Sequence, residues 1–190
     1  NMYRKLQEYN VLLGLLPASC TSDAANTDVS SDCQPSISAA QYRSLVSVEG
    51  DGTKSAEALL PGVTVPAGTK VVVQRRVKTS GTQASSNIFF LDNVCKTNAG
   101  PWFGALTPQG AKVATKYEVV ENSETSGVRN GVAAGTAKTW ALGVISLDNA
   151  STHKLNTKRR WVKIDGVSPD FPASAATQDA SQREAVRTGR

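Results

Sequence analysis

The sequence has 190 residues, of which 39% are hydrophobic and 19% are charged, and its formal net charge is +5. This length is enough for one ordinary domain, or two small lobes, with a real hydrophobic core. The positive charge favours anionic partners in general, but the basic residues are scattered and no basic stripe is interleaved with aromatic residues, which argues against nucleic acid.

The first part of the chain is predicted to contain two helices separated by a polar loop. Apolar residues recur at helical spacing over residues 2–16, which predicts the first helix. Residues 17–34 show no such spacing and are predicted to be a loop. Ser38 is a suitable N-cap for the second helix, which carries an apolar stripe that includes Leu45.

The chain has three cysteines, Cys20, Cys33 and Cys95. Cys20 and Cys33 bracket the polar loop, and a disulfide between them would limit its conformational entropy. Cys95 would then be unpaired, or paired with chain outside this sequence. Three reduced and unrelated thiols are the alternative. There is neither a CxxC spacing nor a Cys/His cluster, so no zinc or other metal site is expected.

The rest of the chain alternates between predicted strands and predicted helices. Apolar, β-branched runs predict strands over residues 70–75, 117–120, 140–147 and 160–164. Helical patterns follow two of them, over residues 83–91 and 127–134. This alternation predicts an α/β fold with parallel or mixed sheets flanked by helices. Residues 173–190 lose all apolar periodicity and are predicted to be a polar C-terminal tail.

The turn between the strand at 70–75 and the following helix is the candidate binding site. The first amides of a helix have no internal partner and the helix dipole adds positive charge there, so this turn suits an oxyanion. Gly81 allows close approach to the backbone, Ser80 and Thr82 offer hydroxyls, and Arg76 offers a two-pronged guanidinium. Plain helix capping by the Ser and Thr residues is the alternative.

The pattern Arg76-x-x-x-Ser80-Gly81-Thr82, between a valine-rich strand and a helix, resembles the phosphate-grasping loop of PstS-type periplasmic phosphate-binding proteins. Three further segments are similar to that family in order and spacing, at residues 35–45, 141–147 and 161–169. The resemblance implies a two-lobed periplasmic-binding-protein-like fold over residues 1–172, best matched over 35–172. It also implies that the anion is contacted by Arg76, Ser80, Gly81 and Thr82. Less certain contacts are Arg75, Thr79, Ser126 and Gly127.

The resemblance further implies non-catalytic capture of phosphate, or a related oxyanion, in the periplasm or outside the cell, for delivery to an ABC importer permease. The family also grips its anion with an N-terminal glycine-and-serine loop and a proton-accepting Asp, and neither is found in residues 1–34. Part of the N-terminal lobe is therefore expected to be missing from this chain. This departure and the unpaired Cys95 motivate an alternative function, an extracellular structural protein that reuses the fold for self-assembly as a homo-oligomer.

An enzyme is not expected, and neither is a cofactor. His153 is the single histidine and lies in a polar stretch without a nucleophile constellation. The glycines between residues 131 and 135 lack the Lys and Ser/Thr of a nucleotide-binding loop.

Overall fold

The computed structural model describes residues 2–22, 31–47, 54–91, 112–113, 116–146 and 159–168. Its helices are α1 (Met2–Leu12), α2 (Ala39–Val46), α3 (Ala56–Leu59), α4 (Gly81–Leu91) and α5 (Thr125–Ala133), with 3-10 turns at Ala18–Thr21 and Ser31–Cys33. Its strands are β1 (Ser36–Ile37), β2 (Lys70–Arg76), β3 (Lys112–Val113), β4 (Tyr117–Asn122), β5 (Thr139–Gly143) and β6 (Lys163–Ile164). The predictions for Cys95, His153 and the tail at 173–190 lie outside the described residues.

The larger sheet has the strand order β3-β4-β2-β5. β2 pairs in parallel with β4 on one side and with β5 on the other, while β3 runs antiparallel to β4. β2 is a β-branched, almost entirely buried strand, as expected at the centre of a parallel sheet. A separate two-stranded sheet joins β1 to β6 in parallel.

Helices cover both faces of the larger sheet. Along β2, Val71 and Val73 point into a core shared with α2 and with Phe90 of α4. On the opposite face Gly131 of α5 lies so close to the Gln74 side chain that a Cβ there would overlap it. The prediction of an α/β fold, with parallel and mixed sheets flanked by helices, is therefore confirmed.

The start of α2 is fixed by side chains close in sequence and by one far from it. The Oγ of Ser38 accepts a hydrogen bond from Gln41 N at 3.0 Å, and the Gln41 side chain accepts one from Ser38 N at 2.8 Å. This reciprocal pair is a capping box, so Ser38 is the N-cap as predicted. Asp165, in the turn after β6, accepts a third hydrogen bond from Ala39 N at 3.1 Å and links α2 to the small sheet.

The two cysteines of the polar loop, Cys20 and Cys33, are both held against α1. A disulfide joins Cys20 and Cys33, whose Cα atoms lie 5.2 Å apart across 13 positions of sequence. Gln7 of α1 donates a hydrogen bond from Nε2 to the Cys33 carbonyl at 2.9 Å, and Arg4 donates one from Nη1 to the Cys20 carbonyl at 3.2 Å. Both ends of the loop are thus held against one helix.

Several predicted boundaries were wrong. The first helix ends at Leu12 and not at residue 16, because Gly14 adopts a left-handed φ of 72°, a conformation that closes helices. The short helix α3 was not predicted. The strands expected over 140–147 and 160–164 are shorter because β5 pairs with β2 only as far as Gly143, and β6 pairs only with the two residues of β1.

Candidate functional site

Two strand-to-helix turns lie side by side at one edge of the larger sheet. The first turn, residues 77–82, leads from β2 into the start of α4, and the second turn, residues 123–127, leads from β4 into the start of α5. β2 and β4 are parallel neighbours whose last residues, Arg76 and Asn122, lie opposite each other. Both helices therefore begin at the carboxyl edge of the sheet, where open α/β sheets place their ligands.

Arg76 connects these two turns. Its guanidinium donates from Nη1 to the Thr125 hydroxyl at 2.7 Å and from Nη2 to the Ser123 carbonyl at 2.8 Å. Its main-chain N–H donates to the Gln83 side-chain oxygen, in the first turn of α4, at 3.1 Å. The Arg76 Nε is buried and forms no hydrogen bond with a described residue. The guanidinium is thereby fixed at the start of α5, while the main chain of Arg76 is tied to the start of α4.

Arg75 lies on the other face of β2 and has a different role. Its side chain is only 4% exposed, and its Nη2 lies 3.0 Å from the Glu121 carboxylate. The register of the sheet places Glu121 directly opposite Arg75 on β4. The charge of Arg75 is therefore balanced within the fold, and the geometry favours Arg76 as the arginine of the site.

The first turn is open to solvent. Ser80 is in the N-cap position, since its carbonyl accepts the first helical hydrogen bond from Ala84 N at 3.0 Å. The hydroxyls of Ser80 and Thr82 form no hydrogen bond with any described residue. Gly81 is exposed, and a Cβ at this position would meet nothing within 4 Å. The first turn, which also carries the exposed Thr79, therefore presents helix amides and hydroxyls that a ligand could reach.

The second turn is more closely packed and carries a carboxylate. A Cβ on Gly127 would lie 2.6 Å from the Asn122 Oδ1, so the side chain of Asn122 fills the space beside the start of α5. Glu124 is in the N-cap position and accepts a hydrogen bond from the Ser126 hydroxyl at 3.2 Å. A carboxylate at this position repels an anion, so Ser126 and Gly127 are less suited to contact one.

The residues that hold Arg76 in place were not predicted as site residues. They are Thr125, Ser123 and Gln83. Thr125 is 49 positions from Arg76 along the chain, and only the β2–β4 register brings the two together. A polar run directly after a predicted strand was visible at residues 122–126, but it does not identify the partner. Arg129, which follows this run, is partly buried on α5 and has an interaction partner of its own.

Within the described ranges, no group of three or more His, Cys, Asp or Glu side chains is placed to hold a metal ion. No described helix has both the length and the apolar character needed to span a bilayer. Comparisons with family models, curated proteins and solved structures give no significant match.

Proposed function

We propose that this chain binds phosphate, or a related tetrahedral oxyanion, at the first turn and breaks no bond in it. The observation that carries the proposal is the open first turn beside Arg76, with a helix start and two hydroxyls that engage no described residue. Such helix starts are established anion sites, because their amides lack partners and the helix dipole is positive there.

The contacts of the proposed complex follow from these positions. The amides at the start of α4, from Gly81 onward, donate to two or three of the anion oxygens. The hydroxyls of Ser80 and Thr82 donate to the others. Arg76 contributes its charge from a position that the Thr125 and Ser123 contacts already fix, so little side-chain entropy is lost on binding.

The biological role that we propose is solute capture for an ABC importer, outside the cytoplasm, by a protein of the periplasmic-binding-protein type. A site at the carboxyl edge of a mixed α/β sheet is consistent with that architecture. The proposal includes a second lobe that would close over the anion, as the PstS resemblance implies.

The decisive experiment is calorimetric titration of the natively purified protein with phosphate at neutral pH, and with sulfate for comparison. Arg76→Gln should weaken phosphate binding by about tenfold or more, because it removes a charged group from the site. Lys138→Gln is the matched control, since it removes one exposed positive charge near the opposite end of α5. Equal affinities for phosphate in the Arg76→Gln variant and the parent, both folded by circular dichroism, would refute the mechanism.

The same titration addresses a second candidate function, self-assembly of a structural protein. The observation in its favour is an apolar patch at the end of α1, where Leu12, Leu13 and Leu15 are 60%, 51% and 62% exposed. No heat with either anion, together with homo-oligomers in sedimentation velocity, would favour self-assembly. A monomer that binds phosphate would exclude it.

A further inference from the structure

A cavity lies away from the two turns, between β5 and the small β1–β6 sheet. Its volume is about 660 Å³, which is within the range of pockets that hold small organic ligands. It is bordered by α1, by the last residues of α5 and by residues 159–164, and it includes no residue of the first or second turn. We call it the β5 cleft.

The lining of the β5 cleft is mixed, with apolar side chains beside two threonines and two arginines. Trp140, Phe90 and Tyr42 border it and are each at most 5% exposed, so they form its packed base. Half-buried aliphatic side chains, among them Leu142 and Val162, supply apolar surface that stays accessible in the cleft. The body of a ligand in this cleft would therefore be apolar, because burial of apolar area drives such binding.

The charged residues among the described lining are Arg159 and Arg160, and no acidic residue is among them. The Arg160 guanidinium lies over the Tyr3 ring, 5.3 Å from its centre, in cation–π geometry. The Nε of Arg159 is buried and has no hydrogen-bond acceptor among the described residues. A buried guanidinium N–H without an acceptor is costly, and a carboxylate is an acceptor that matches its geometry.

We propose that the β5 cleft binds a small amphipathic monoanion, a carboxylate with an aliphatic or aromatic body. Its carboxylate accepts hydrogen bonds from Arg159, within the field of Arg160, while its apolar body covers Leu142 and Val162. This site is independent of the proposed phosphate site. The β5 cleft includes Met2 and Tyr3, at the start of α1, but it shares no lining residue with the first or second turn.

Titration of the full chain with octanoate and with 2-naphthoate tests the proposal. The two acids distinguish a ligand with an aliphatic body from one with an aromatic body. The neutral probe 1-octanol measures the apolar contribution alone. We expect at least one acid to bind about tenfold more tightly than the alcohol, because of the charged hydrogen bond. Arg159→Gln should remove that advantage and leave the affinity for 1-octanol unchanged.

Lys138→Gln is again the matched control, because Lys138 is exposed and follows a lining residue, Ala137, without lining the cleft itself. It should leave the affinity for both acids unchanged. Two results would overturn the proposal. One is that neither acid binds, which would mean that the chain itself fills the cleft. The other is an equal affinity for the acid and the alcohol in the parent protein.

Discussion

The two turns at the carboxyl edge have the same topology but different properties. In the first turn Gly81 is open to solvent, and the hydroxyls of Ser80 and Thr82 contact no described residue. In the second turn Gly127 packs against Asn122, and an oxygen of the turn holds the Arg76 guanidinium. The comparison shows that the first turn leaves its hydroxyls without a described partner, while the second turn holds the Arg76 guanidinium; the proposed anion site rests on this difference.

The starts of α4 and α5 also differ in whether a carboxylate offsets the helix dipole. No acidic residue lies among the first few residues of α4, so no carboxylate there offsets the positive end of the helix dipole. α5 has the carboxylate of Glu124 in its N-cap position, where it offsets the dipole of that helix. The helix dipole and the N-cap charge by themselves therefore favour an anion at α4, whereas the Arg76 guanidinium adds positive charge at the start of α5.

The largest expected effect comes from adding one methyl group to each turn. Gly127→Ala should lower the free energy of unfolding by about 1–3 kcal/mol, because the new Cβ overlaps the Asn122 side chain. Gly81→Ala should change it by no more than about 0.5–1 kcal/mol, and toward greater stability, because the space is empty and Ala favours the helix. Denaturant unfolding of both variants measures the difference. Equal destabilisation would show that the first turn is as closely packed as the second.

The C-terminal ends of α4 and α5 provide a second comparison, which concerns how stability depends on pH. α4 ends on a core aromatic pair, since Phe90 packs on Tyr42 of α2 with ring centres 4.4 Å apart. Burial, with a smaller contribution from Tyr117, raises the pKa of the Tyr42 phenol well above its ordinary value, while Arg75 acts in the opposite direction. α5 ends instead at Ala133, followed by the exposed Ala134 at the border of the β5 cleft.

The sign of the effect follows from proton binding. Above about pH 10 the Tyr42 phenol ionises in the unfolded chain but stays protonated in the folded one, so the unfolded state binds fewer protons. Stability then falls as pH rises, by about 1.4 kcal/mol per pH unit for one such group. Tyr42→Phe should remove this component. Unfolding measured at several pH values above about 9 in both proteins checks it, and identical slopes would contradict it.

Local patterns in the sequence predict much of this fold, and the contacts that build the site are beyond them. The capping box at Ser38 and the strand–turn–helix around Ser80 are encoded within a few residues, and both are present. The bond from Arg76 to Thr125 depends on the pairing of β2 with β4, which periodicity does not reveal. The register likewise decides that Arg75 is balanced by Glu121 inside the fold.

The smallest expected effect is that of removing single hydroxyl groups from the two turns. This prediction rests on the proposed phosphate site. Ser80→Ala and Thr82→Val should each weaken phosphate binding by roughly threefold to tenfold, since each removes one hydrogen bond worth about 0.5–1.5 kcal/mol. Ser126→Ala should change the affinity by less than about twofold, because its hydroxyl already donates to Glu124. Calorimetric titration of the three variants measures these ratios. A greater loss in Ser126→Ala than in Ser80→Ala would place the anion on α5, and the first turn would then be an ordinary capped helix start.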